Sequence, residues 1–180
     1  SLPVTVTNDA NAAAMGEMIY GDAQHMRNFI MITLGTGLGS GIVVEGKLVY
    51  GNDGFAGELG HTVVFPEGRQ CACGKRGCLE NYASATGLVR TAYELMADSL
   101  EESELRSIPY EELKAKKISE AAAKGDKIAL KAFDYTGKIL GMKLADAVAH
   151  TSPEAIFLFG GLAKAGDLIF KPTKKYMEKY

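Results

Sequence analysis

The stretch NFIMITL (28–34), GTGLGSG (35–41), IVVEGKLVY (42–50) decides the fold. Asn28 to Leu34 is a compact apolar run that stops at Gly35. Ile42-Val43-Val44, Gly46 and then Lys47 to Tyr50 read as a strand, a tight turn and another strand, so the stretch predicts a three-stranded antiparallel meander. Downstream, from Gly51 to Gly77, glycines crowd and neither a period of two nor one of 3.6 survives. A loop of that length in a compact domain is usually either disordered or held by something specific, and the cysteines below suggest a holder. Leu79 to about Met96 has helical spacing and ends in the charged stretch Asp98 to Glu104. Ser119 to Lys124 predicts a short helix closed by Gly125, and Asp126 caps a longer one that stops near Pro153. Ala155 to Phe159 (AIFLF) is an apolar strand, and Ala163 to Tyr180 a helix interrupted around Pro172. Upstream, the alternation Val4-Thr5-Val6-Thr7 reads as a strand, closed by Asn8-Asp9-Ala10-Asn11, which opens an Ala-rich helix. The class is mixed α/β: a mixed sheet whose meander is extended by a strand reached through helices.

At 180 residues, one packed core is expected, and 47% apolar against 23% charged residues is the balance of a folded protein. A net charge of −2 leaves no surplus of Lys and Arg for phosphate backbones, which argues against nucleic-acid binding by this segment. No apolar run approaches the roughly 20 residues that cross a bilayer. No basic stretch followed by an apolar one opens the chain, so the expectation is a cytoplasmic protein with a small ligand.

Three cysteines fall within Cys71-Ala72-Cys73-Gly74-Lys75-Arg76-Gly77-Cys78. An odd number fits no complete disulfide scheme, whereas three thiolates and one imidazole complete a tetrahedral zinc site, with His61 as the nearest fourth ligand. The bland alternative is three incidental cysteines. In Gly35-Thr36-Gly37 the backbone amides and the Thr36 hydroxyl can cradle phosphate, although a glycine-rich hairpin can equally be a plain turn. Gly160-Gly161 follows an apolar strand and precedes a helix whose N-terminus would suit a nucleotide; tight packing explains the pair as well. Asn8 and Asp9 fit a helix cap, and Asp9 is also placed to accept a hydroxyl proton. Glu58, His61 and Glu80 are tied to the cysteine loop, where carboxylates can bind neighbouring sugar hydroxyls.

In this order, Asn8-Asp9-Ala10-Asn11, Gly35-Thr36-Gly37-Leu38-Gly39, Gly57-Glu58-Leu59-Gly60-His61, Cys71 to Glu80 and Phe159-Gly160-Gly161 resemble the ROK family of repressors, open reading frames and sugar kinases, and most of all its bacterial glucokinases. The motifs match without departure along nearly the whole chain. The resemblance implies an actin-like ATPase (ribonuclease H-like) fold and phosphorylation of a hexose, glucose above all, with ATP and Mg2+. By resemblance Asp9 is the catalytic base. Asn8, Glu58, His61 and Glu80 bind the sugar, Gly35, Thr36 and Gly37 the phosphates, and Gly160 and Gly161 the nucleotide. By the same resemblance His61, Cys71, Cys73 and Cys78 are expected to hold a structural Zn2+, and a homodimer is the expected assembly.

Members of the family carry a phosphate loop, Asp-x-Gly-Gly-Thr, in a first lobe. Residues 1–180 are therefore expected to be the second, C-terminal lobe of a longer kinase, incomplete at both ends, with a zinc insertion at about 54–80 and negligible activity alone. A sugar-responsive repressor of the same family is the rival expectation, and a non-catalytic, zinc-stabilised sugar-binding module a third. Asp9 and the unaltered Gly35-Thr36-Gly37 favour the kinase.

Overall fold

The strand β1 (Phe29–Leu34) is buried on both faces, and the rest of the chain is arranged around it. The computed structural model describes residues 2 and 6–180. Val4 and Thr5 of the expected first strand lie outside them, and Val6 and Thr7 belong to no strand. β1 pairs antiparallel with β2 (Leu38–Val44), which pairs antiparallel with the short β3 (Lys47–Leu48). β4 (Ala155–Phe159) returns parallel to β1, Phe29 beside Ala155, giving the order β3-β2-β1-β4. The expected meander and its crossover extension are both present.

Side chains alternate along β1, so its two faces build two cores. Phe29 and Met31 meet Ala14 of α1 (Asp9–Tyr20), Ala23 and Val43, with Phe29 and Phe157 edge to face at 5.6 Å. Ile30, Ile32 and Leu34 point the other way, into the larger core. That core is covered by α2 (Ala85–Ala97), α3 (Ala115–Ala123), α4 (Lys127–Thr151) and α5 (Asp167–Lys179), through Leu88, Ile118, Phe133, Leu140 and Ile169. Each fully buried Ile or Phe here contributes about 1.5–3 kcal/mol of apolar burial.

Four expectations need correction. The glycine run is mostly strand: only Gly35-Thr36-Gly37 turns, closed by Gly35 N–H donating to the Gly37 carbonyl at 3.0 Å, and β2 takes in Gly39 to Gly41. A Cβ on Gly41 would lie 2.8 Å from Ala14 Cβ and 2.9 Å from the Ala10 carbonyl oxygen, so the missing side chain is what lets α1 lie against β2. The helix expected from Leu79 is a 3-10 turn, Leu79–Asn81, followed by α2, which Ser84 caps by accepting from Gly87 N–H at 3.0 Å. α3 begins at Ala115, ahead of Ser119. α5 runs unbroken through Pro172, because the Pro172 ring sits against Gly137 of α4, where a Cβ would lie 2.7 Å from its Cβ and Cγ. Pro172, the sixth residue of the helix, gives up one backbone N–H there.

Candidate functional site

α1 begins at the open end of the sheet. Asn8 caps it, its Oδ1 accepting from Asn11 N–H at 2.7 Å, and Asp9 opens its first turn beside β2. A Cβ on Gly39 would stand 3.7 Å from Asp9 Oδ1, which places the carboxylate over the strand directly after the Gly35-Thr36-Gly37 turn. A carboxylate in the first turn also complements the positive end of the helix dipole. Asp9, the three turn residues, Thr33, Glu80, Phe159 and Gly160 line one open cleft of ≈ 490 Å³.

Glu80 reaches this cleft from the cysteine loop. The loop is pinned by two isolated bridges, Val63 to Cys78 and Gln70 to Arg76, and by Cys71 N–H donating to the Lys75 carbonyl at 2.9 Å. Gly77 has φ 72° and lies against the Phe65 carbonyl, a backbone and a space that only glycine fits. The loop thereby gathers His61, Cys71, Cys73 and Cys78, whose donor atoms all lie within 4.8 Å of one another. Cys73 Sγ is 3.6 Å from Cys78 Sγ, and Cys71 Sγ is 3.8 Å from His61 Nδ1. These match the edges of a tetrahedron, about 3.7 Å for bonds of ~2.3 Å. Burial pushes the Cys78 thiol up to about 12, aided by the other two thiols, and burial also raises Cys71. The backbone N–H of Lys75 holds Cys73 below its usual value. A divalent cation is the partner that would draw protons from such a set, and the four residues fit a zinc site.

His61 presents Nδ1 to the cluster, and the same nitrogen is 3.7 Å from Glu80 Oε1. Glu80 Oε1 also accepts from Cys71 Sγ at 3.2 Å, while its Oε2 faces the turn, 2.8 Å from where a Gly37 Cβ would stand. One carboxylate therefore spans from the His/Cys cluster to the turn.

Other expected site residues fall elsewhere. Asn8 is occupied as a cap, Glu58 is exposed ahead of the 3-10 turn Leu59–His61, and His61 faces the cysteines; of the four expected sugar ligands only Glu80 lines the cleft. Gly161 faces a neighbouring groove of ≈ 530 Å³, shared with Thr36, Thr86, Tyr110 and Lys116. No helix N-terminus follows the glycine pair directly, since the 3-10 turn Ala163–Ala165 intervenes and α5 starts only at Asp167. Thr33, which sequence reasoning missed, and Phe159, quoted above only as part of the glycine motif, are strand-end positions facing the cleft. Their only signal is the alternation of the strands.

The model of the ROK family matches residues 1–180. The chain belongs to the ROK family. Among curated ROK relatives, the glucokinase of Halalkalibacterium halodurans is 45% identical over 99% of this chain and 55% of its own length. The xylose repressor of Caldicellulosiruptor bescii is 31% identical over 99% of this chain and 45% of its own. The ROK glucokinase of Streptomyces griseus, solved with glucose and AMPPNP, superposes with a TM-score of 0.89 at 39% identity, covering 99% of this chain and 58% of that one. The fold is accordingly the actin-like ATPase fold of the ROK glucokinases. The chain spans just over half the length of the glucokinases it matches. Among the described residues, no helix is long and apolar enough to cross a membrane.

Proposed function

We propose that the protein containing this chain transfers the γ-phosphoryl group of ATP to a hexose, glucose becoming glucose 6-phosphate. The observation that carries this reading is that Asp9, the Gly35-Thr36-Gly37 turn and Glu80 line one cleft. A base, a phosphate cradle and a hydroxyl-binding carboxylate are what transfer to a sugar alcohol needs from the protein, since the reaction depends on positioning and charge neutralisation.

Asp9 accepts the proton of the sugar 6-hydroxyl as that oxygen attacks the γ-phosphorus. The amides of the turn and the Thr36 hydroxyl donate to phosphate oxygens, and the groove past Gly161 takes the nucleoside. Glu80 holds sugar hydroxyls from the side of the cluster. His61, with Nδ1 turned to the cysteines, keeps its other ring nitrogen for the sugar, and family likeness adds Asn8 and Glu58 to the ligand set. Zinc, when bound, supplies a fixed tautomer and aim for His61. Mg2+ bound with ATP would supply charge neutralisation at the phosphates.

The same reading takes residues 1–180 as the second lobe, with a zinc insertion at about 54–80, of a cytoplasmic homodimer; location and assembly rest on family likeness. The repressor reading is supported by the xylose repressor relative and by a ROK transcriptional regulator of TM-score 0.86 at 33% identity. Asp9 beside an intact phosphate turn favours the kinase. Incubating the full-length protein with ATP, Mg2+ and a panel of hexoses should release ADP fastest with glucose; no hexose-dependent ADP would refute the proposal.

A further inference from the structure

Arg69 belongs to none of the motifs above, yet every N–H of its guanidinium has an acceptor. Nε and Nη2 grip Glu94 Oε1 and Oε2 at 3.0 and 2.5 Å. Nη1 donates to the carbonyls of Asn81 at 2.6 Å and Gly87 at 3.2 Å, and Nη2 also to Thr91 Oγ1 at 2.9 Å. The side chain is only 7% exposed and lies 4.5 Å over the Tyr82 ring. Its backbone is engaged too: Arg69 N–H donates to the Tyr82 hydroxyl at 2.9 Å, and its carbonyl accepts from Gly77 N–H at 2.8 Å.

These bonds tie three pieces together: the cysteine loop, α2, and the 3-10 turn whose middle residue is Glu80. A single 3-10 turn has poor hydrogen-bond geometry and little stability of its own. Here it is held at both ends. Leu79 N–H donates to the Thr62 carbonyl at 2.9 Å, just before Glu80, and Arg69 grips the Asn81 carbonyl just after it. Arg69 itself is absent from the cleft lining.

We propose that Arg69 is a positioning residue that aims the Glu80 carboxylate into the cleft, so that sugar affinity depends on a side chain that never touches the sugar. This rests on the reading of Glu80 as a sugar ligand. A planar fork of five donors is what the arrangement uses, and Lys, with three donors on one nitrogen, keeps the charge without the fork.

The test is Arg69→Lys in the full-length protein, with glucose affinity by calorimetry, steady-state kinetics and zinc content measured together. Glucose Kd and KM should rise about tenfold, as when other supporting-shell residues are lost, with ATP KM unchanged and one zinc per chain retained. Unchanged glucose affinity, or equal rises in both KM values, would overturn the inference. If R69K does not fold or loses zinc, Glu94→Gln decides: Glu94 is largely exposed, and weakening one arm of the fork should raise glucose KM about two- to threefold with the same split. No rise there overturns the inference. Wild-type protein that neither binds nor turns over a hexose overturns the functional reading and this inference with it, whereas a normal wild type with an unaltered R69K overturns the inference alone.

Discussion

Cys71 Sγ and Glu80 Oε1 are 3.2 Å apart, so a residue of the metal cluster is in direct contact with one that lines the cleft. The His/Cys cluster and the side of the cleft that Glu80 lines are therefore adjacent, while the Gly35-Thr36-Gly37 turn is built by the β1–β2 hairpin.

Loss of zinc should be felt by the sugar before the nucleotide. Cys73 is exposed, in contrast to the buried Cys71 and Cys78, so Cys73→Ser removes a ligand without opening a cavity. In the full-length protein it should lower zinc content and raise glucose KM about tenfold or more, with ATP KM nearly constant. Chelating zinc from the wild type should reproduce the split. Equal effects on both KM values would separate the cluster from the sugar site.

Gly41 sets the seat of α1, and α1 carries Asp9. Gly41→Ala would press a methyl group against Ala14 and the Ala10 carbonyl, costing about 1–3 kcal/mol of stability as an overpacked site. Chemical denaturation should show that loss, and kcat should fall with it because the shifted helix moves the base. Stability and kcat both unchanged would mean that the helix does not fix Asp9.

Glu154 fastens β4 to the start of β1. It accepts from the N–H groups of Arg27 at 2.8 Å and Asn28 at 2.9 Å, while its own N–H donates to the Asn28 carbonyl at 2.7 Å. The two amides, Arg27 first, hold its carboxyl below the usual 4.5. A folded-state pKa below the unfolded one contributes stability above the unfolded value and loses it as pH falls through the folded value. Glu154→Gln should therefore be less stable than wild type near pH 7, and the gap should narrow in urea unfolding as pH falls below the usual 4.5. A gap independent of pH would rule out the carboxylate as its source.

How far the sequence could be read depended on whether each signal was local. β1 and β4 are apolar runs, and α4 carries its own cap at Asp126, whose Oδ1 accepts from Ala129 N–H at 3.0 Å, so these were legible. Pro172 and the glycines of β2 were misread because their meaning is tertiary. The Pro172 ring packs on Gly137, and Gly41, paired with Met31 in the sheet, leaves room for α1 to lie on β2. The four metal-ligand candidates converge, and Asp9 and Glu80 line one cleft, a juxtaposition that no spacing in the sequence could show. Arg69 could not have been found, since a lone arginine before a cysteine cluster carries no periodicity and its acceptors come from residues 81–94.

The central claim is that Asp9 performs the proton transfer in a cleft whose sugar side is organised by the metal cluster. Its most direct test measures glucose binding and glucose 6-phosphate formation side by side in the full-length wild type and in Asp9→Asn. The account predicts turnover by the wild type and, in D9N, a fall of at least about a hundredfold in kcat with glucose affinity and zinc content retained. D9N turning over at the wild-type rate, or a wild type that binds glucose and forms no glucose 6-phosphate, would contradict it.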